Sequence, residues 1–197
     1  MMTVYLVPAG ATDLSKHGEL LGINNPSLNE AGRSNASRAA SMLAPLVLEA
    51  VFSGSLIREF ETAEAIAKLH RLPVRVDNDI RDINFGRWSG RTWKALEATE
   101  GDALSKLLKS PHKFRFPSGD RMKRSGKRIQ AFVQQILSNC GTGNLVVVAD
   151  DFVISLITSM MVKTNLSDIE PFKPSQGMMT VIECEHGACA LKRLRDE

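Results

Sequence analysis

The chain of 197 residues carries 25 Lys and Arg against 22 Asp and Glu, a net charge of +3, with 43% hydrophobic and 24% charged residues. These are the values of an ordinary globular domain, enough for one sizeable core, and +3 is too weak to imply nucleic acid. No apolar run approaches the ~20 residues of a bilayer span, and the N-terminus lacks the basic-then-apolar pattern of a signal peptide, so no membrane partner is expected.

Taken in order, Thr3 to Val7 are β-branched, aromatic or Leu with no charge among them. They predict a strand buried on both faces, as in the middle of a parallel sheet. Pro8 stops the strand, and Gly10 allows a sharp turn at its carboxyl end, where open α/β sheets place ligand sites. Residues 13–28 are polar and Gly/Asn-rich and predict a long loop, a length that in compact domains is commonly functional. Asn29 is the expected N-cap of a helix carrying Ala36, Ala39, Ala40 and Leu43 on one face. Ala50–Ser53 is a short strand, followed by a helix with Leu56, Phe60, Ala63 and Ala67 at core spacing.

Pro73–Val76 predicts an edge strand. Ile129, Phe132, Val133, Ile136 and Leu137 mark the core face of a long helix. Asn144–Ala149 is a second fully buried strand, leading through Asp150, Asp151 and Phe152 into a helix apolar almost all round, Val153 to Val162. The tail, Met178 to Cys184 and Cys189 to Leu194, alternates like a closing hairpin around Glu185 to Ala188. Cys184 and Cys189 can face each other across that hairpin. The odd cysteine count (Cys140 is the third) and absent zinc spacing instead predict free thiols and a cytoplasmic location.

Several stretches together carry a family resemblance. Thr3-Val-Tyr-Leu-Val-Pro-Ala-Gly-Ala-Thr12 resembles the opening strand and Arg-His-Gly-X-Thr motif of the histidine phosphatase superfamily, the phosphoglycerate mutase-like proteins. Pro26-Ser-Leu-Asn-Glu-Ala-Gly32 is similar to its Pro-Leu-Thr-x-x-Gly segment, and Ser53-Gly-Ser-Leu-Ile-Arg-Glu-Phe-Glu-Thr-Ala63 to its Ser-x-Leu-x-Arg-x-x-x-Thr-Ala pattern. Asp79 to Trp93 resembles Leu-Arg-Glu-x-x-Phe-Gly-x-Trp-Glu-Gly-x-Thr, the most specific of the matches, and Phe114 to Asp120 echoes Phe-Pro-Gly-Gly-Glu. The resemblance implies a three-layer α/β/α fold with a mostly parallel sheet of about six strands, over one phosphoglycerate mutase-like domain spanning residues 1–197.

It also implies a reaction. One imidazole attacks phosphorus, arginines and a second histidine stabilise the phosphoryl oxygens, and a carboxylic acid protonates the leaving group. Carried over position by position, the nucleophile falls on Ala9, the first arginine on Pro8 and the second histidine on Asp150. The second arginine is kept as Arg58 and the acid as Asp82. The expected binding set is therefore Pro8, Ala9, Gly10, Arg58, Asp82, Asp150 and Asp151, with no catalytic residue among them. An Asp150 carboxylate repels phosphate, and the expected use of Arg58 is to pair with Asp150.

The resulting expectation is a non-catalytic family member that binds a small ligand or a protein partner, compatible with a homodimer. The alternatives are an active phosphatase or mutase with a rearranged site, and an interaction protein working through the basic helix 121–128. For that helix (Arg121, Lys123, Arg124, Lys127, Arg128) a solvated face is the expected role, and no nucleic-acid partner is expected. Asp82, Asp150, Asp151 and Asp120 offer oxygen ligands for Mg²⁺ or Ca²⁺, but acids at strand ends more commonly cap helices, and no metal or cofactor is expected. His17, a loop histidine, has no visible orienting partner as a relocated nucleophile. Trp88 and Trp93 are expected to pack, and Phe152 is the expected plug of the pocket.

Overall fold

The computed structural model describes residues 1–15, 17–139, 142–164 and 179–192. In chain order the elements are β1 (Met2–Pro8), α1 (Glu30–Leu43), β2 (Leu48–Ser53), α2 (Ile57–His70), β3 (Val74–Val76), α3 (Trp93–Lys109), α4 (Met122–Asn139), β4 (Gly143–Ala149), α5 (Asp151–Val162), β5 (Thr180–Glu185) and β6 (Ala188–Lys192). They build one six-stranded sheet in the order β3-β2-β4-β1-β5-β6. The first four strands in that order pair in parallel, and β5 pairs antiparallel with both β1 and β6. The fold is α/β with a mixed sheet.

Burial on both faces of β1 and β4 explains their uninterrupted apolar runs. Val4, Leu6, Leu145 and Val147 point into one core, together with Ile129, Phe132 and Ile136 of α4 and Val153 and Ile157 of α5. Val7, Val146 and Val148 point into a second core, with Ala40 and Leu43 of α1 and Ala63 and Ile66 of α2. Asn29 caps α1, its Oδ1 accepting the Gly32 N–H at 2.8 Å. β3 lies at the sheet edge, as its Pro73 start predicts.

Four expectations change. Phe60 and Leu137 are exposed, not core; on α2 the inward positions belong to Glu59, Thr62, Ala63 and Ile66. α3 occupies a stretch for which the sequence predicts no element. Its period is broken at Glu100, whose φ of −135° is non-helical, next to Gly101. Cys184 and Cys189 form a disulfide, because the hairpin register sets them directly opposite each other. The premise of free thiols behind the expected cytoplasmic location therefore fails for this pair. Met178, Arg193 and Leu194 of the predicted hairpin, and Cys140, lie outside the described residues. Among the described residues no helix is long and apolar enough to cross a membrane.

Candidate functional site

The sheet's register brings the two critical positions side by side. Pro8 pairs with Ala149 at the carboxyl ends of β1 and β4, and the Ala9 N–H donates to the Ala149 carbonyl at 3.0 Å. Ala9 and Asp150 thus leave the sheet as neighbours. Gly10 is buried beneath them, its N–H donating to Thr62 Oγ1 at 3.0 Å, and Thr62 in turn donates to the Arg58 carbonyl. The second turn of α2, through Thr62, therefore stands against the end of β1.

Arg58 is the centre of the site and is almost fully buried. Its Nε and Nη2 donate to the two oxygens of Asp150, both at 2.9 Å, in a bidentate fork. Nη2 also reaches Asp82 Oδ2 at 3.2 Å and the Gly22 carbonyl at 2.9 Å, and Nη1 donates to the Asn24 carbonyl at 2.6 Å. The guanidinium offers its donors in a fixed planar fork, and this set of acceptors occupies each of its three nitrogens. Burial opposes its charge, but the Asp150 carboxylate and then Asp82 outweigh that cost and hold the guanidinium protonated above its ordinary range.

The atoms that cover Arg58 are loop carbonyls. Residues 22–28 close over the start of α2: Asn25 Oδ1 accepts the Ile57 N–H at 2.6 Å, and Glu61 Oε2 accepts the Leu28 N–H at 2.7 Å. Gly22 sits at φ +57°, and a Cβ there would lie 2.8 Å from the Ile83 carbonyl oxygen, so the close approach requires glycine. Phe152, the expected plug, turns instead into an aromatic core. It stacks on Trp93 at 6.1 Å and meets Phe85 edge-on at 5.6 Å. Trp88 is fully buried in the same cluster.

Asp82 is held on both sides. Its Oδ1 accepts the Ile83 N–H at 2.7 Å, and its backbone carbonyl accepts from Arg81 and Arg128. Burial, then the charge of Asp150, pushes its carboxyl up to about 8 despite Arg58. Asp151 is exposed at the first turn of α5. Asp150 is the N-cap residue of α5, but its side chain makes no capping bond, being given over to Arg58. His17 is exposed in the loop, and its backbone N–H donates to Glu19 Oε2 at 2.8 Å. With Asp82 and Asp150 both engaged by a guanidinium, the acidic set does not converge on a metal, and among the described residues no group of three His, Cys, Asp or Glu is placed to hold one.

One member of the site escapes sequence reasoning. Glu59 follows Arg58 and is completely buried. Its Oε2 accepts the Leu56 N–H at 2.9 Å, while Oε1 has no donor. The Asp150 charge lies close enough to act on this carboxyl. Burial, then the Asp150 charge, pushes Glu59 up to about 10, so at neutral pH it is a carboxylic acid. Gly54 makes room for it: a Cβ at Gly54 would lie 2.0 Å from Glu59 Oε2. The sequence signal was a charged residue at a helix position that otherwise belongs to the core face.

Three carboxyl groups thus surround one guanidinium, with two of the three held protonated. The cluster is close to electrically neutral without any ligand. It can hold protons and a fixed ion pair, but the Arg58 fork does not point at open space.

Known proteins share this architecture. The sequence profile of the histidine phosphatase superfamily, branch 1, matches residues 4–197. Phosphoserine phosphatase 1 of Hydrogenobacter thermophilus is 24% identical over 185 residues, covering 94% of this chain and 88% of that protein. The alpha-ribazole phosphatase of Shigella flexneri superposes with a TM-score of 0.81 at 20% identity, over 99% of this chain and 96% of that one. A histidine-to-alanine mutant of phosphoserine phosphatase from Entamoeba histolytica, in complex with phosphoserine, gives a TM-score of 0.81 at 21% identity, over 98% and 96% of the two chains. With the profile matching from the first strand to the last residue, the chain belongs to the histidine phosphatase superfamily, branch 1.

Proposed function

We propose that this chain is a non-catalytic member of its family, acting by binding rather than by phosphoryl transfer. The observation that carries the reading is the bidentate Arg58–Asp150 pair. A phosphoryl group needs the arginine's donors, and here an internal carboxylate already occupies them. Ala9, at the position the family resemblance assigns to the nucleophile, has a methyl group with no lone pair to attack phosphorus. Pro8 brings neither a charge nor an N–H to the same corner. Of the set Pro8, Ala9, Gly10, Arg58, Asp82, Asp150 and Asp151, it is Pro8, Ala9, Asp150 and Asp151 that keep accessible surface for a ligand, with Gly10, Arg58 and Asp82 buried.

A second reading, an active phosphatase with rearranged residues, is favoured by the names of the relatives, which are phosphatases. It is also favoured by the survival of Arg58 and Asp82 in contact with each other. In that reading Arg58 would exchange Asp150 for substrate phosphate.

The two readings separate on turnover. Protein purified through two orthogonal columns is expected to hydrolyse p-nitrophenyl phosphate no faster than buffer, and to form no acid-labile phosphoprotein. Turnover that survives repurification and is lost in Arg58→Ala supports the phosphatase reading and overturns the non-catalytic one.

A further inference from the structure

Away from the Arg58 site, the chain concentrates its positive charge. Residues 112–128 hold seven Lys and Arg against one Asp, a local +6 in a chain whose net charge is +3. α4, Met122–Asn139, contains no acidic residue at all.

The arrangement works against the fold in two ways. Arg115 and Arg121 are held directly opposite each other by an antiparallel bridge, fixed by the Phe116 N–H to the Asp120 carbonyl and the Met122 N–H to the Phe114 carbonyl. Like charges in that register repel. Lys123 and Arg124 then fall in the first turn of α4, the end where the helix dipole disfavours cations. Among the described residues, Arg115, Arg121, Lys123, Arg124 and Lys127 have no carboxylate partner, and all five are exposed. The nearest acid, Asp120, turns inward, its Oδ2 accepting the Asn84 N–H at 3.1 Å. Arg128 differs from these five: it is half-buried and donates to the Asp79 and Asp82 carbonyls, anchoring the helix.

Electrostatic cost concentrated on one face, with its internal counter-charge withheld, is relieved by an external anion. We infer that the surface of Arg115, Arg121, Lys123, Arg124 and Lys127 is a docking site for an acidic protein segment, one rich in Asp and Glu. Size and chemistry select this partner over nucleic acid. Arg121 to Lys127 spans about 9 Å at the helical rise of ~1.5 Å per residue, a length matched by a short peptide rather than a duplex. Trp88 and Phe116 are fully buried and the half-buried Phe114 packs against both, so among the described residues these rings offer no platform for stacking bases. This inference does not depend on whether the Arg58 site is catalytic.

The test is fluorescence anisotropy with a fluorescein-labelled 12-residue Asp/Glu peptide and with a labelled 20-base-pair DNA duplex, at two salt concentrations. The peptide is expected to bind saturably and more tightly than the duplex, weakening as salt rises. Arg121→Glu with Arg124→Glu and Lys127→Glu is expected to weaken peptide binding at least tenfold. Arg38→Glu with Lys68→Glu and Lys94→Glu, the same change of net charge on other helices, is expected to leave it within twofold. Single Arg124→Gln, which adds no negative charge, gives a several-fold loss and serves if the triple variant fails to fold. No peptide binding, equal loss in the two triple variants, or tighter binding of the duplex would each overturn the inference.

Discussion

Asp150→Ala is expected to lower the free energy of unfolding by about 3 kcal/mol, the lower end of the range for breaking a buried ion pair. Arg58 is only 1% exposed with Asp150 in place, so the substitution leaves a guanidinium without its bidentate carboxylate. The loss stays at the lower end because Asp82 is already 3.2 Å from Nη2. With the Asp150 charge gone, one cause of its raised affinity for protons disappears, and it can ionise opposite Arg58. Asp150→Asn keeps an acceptor for Nε and should lose less. Urea unfolding at pH 7 with an unchanged denaturant slope checks both values, since a change in slope would signal a different folded or unfolded state.

The second large effect is on the pH dependence of stability. Glu59 is raised to about 10 and Asp82 to about 8 in the folded protein, against ordinary values near 4 in an unfolded chain. Above about pH 5 the unfolded chain has released both protons while the folded protein keeps them. Stability therefore falls as pH rises, by up to about 1.4 kcal/mol per pH unit for each group. The decline ends only once the folded groups themselves ionise, Asp82 around 8 and Glu59 around 10, and because both sense Asp150 they titrate as one cluster. Thermal unfolding should give a higher Tm at pH 5.5 than at pH 8. Glu59→Gln keeps the shape, retains an acceptor for the Leu56 N–H and supplies N–H donors toward Asp150. It should raise stability at pH 8, shifting the unfolding equilibrium by at least about tenfold, and flatten the slope. A wild-type Tm that rises between pH 5.5 and 8 would show that Glu59 and Asp82 are ionised in the fold.

The backbone of the site was largely legible in the sequence, because strands buried on both faces write uninterrupted apolar runs, as Val4 to Val7 and Leu145 to Ala149 do. The Arg58–Asp150 contact was also legible, since a charge at a strand end facing a retained arginine has to be paired. What closes over Arg58 was not. The Gly22 and Asn24 acceptors are backbone carbonyls of a loop more than thirty residues away, and every residue type carries that carbonyl. Glu59 was hidden for a different reason: its core-face position was visible in the helix spacing, but a helix glutamate is ordinarily solvated, and the space at Gly54 that admits it is set by the fold. α3 was obscured by a break in its period at Glu100. The Cys184–Cys189 bond depends on the exact opposition of two strand positions, which spacing alone leaves open.

The central claim is that Asp150 holds the donors a phosphate would need. Its most direct test is protection against thermal unfolding by inorganic phosphate, in wild type and in Asp150→Ala, because a ligand that binds only the native state must raise its apparent stability. The account predicts no shift in Tm for wild type at millimolar phosphate and a clear, concentration-dependent rise for Asp150→Ala, abolished when Arg58→Ala is added. Wild type protected as strongly as Asp150→Ala would contradict it, since Arg58 would then be open to phosphate with Asp150 in place.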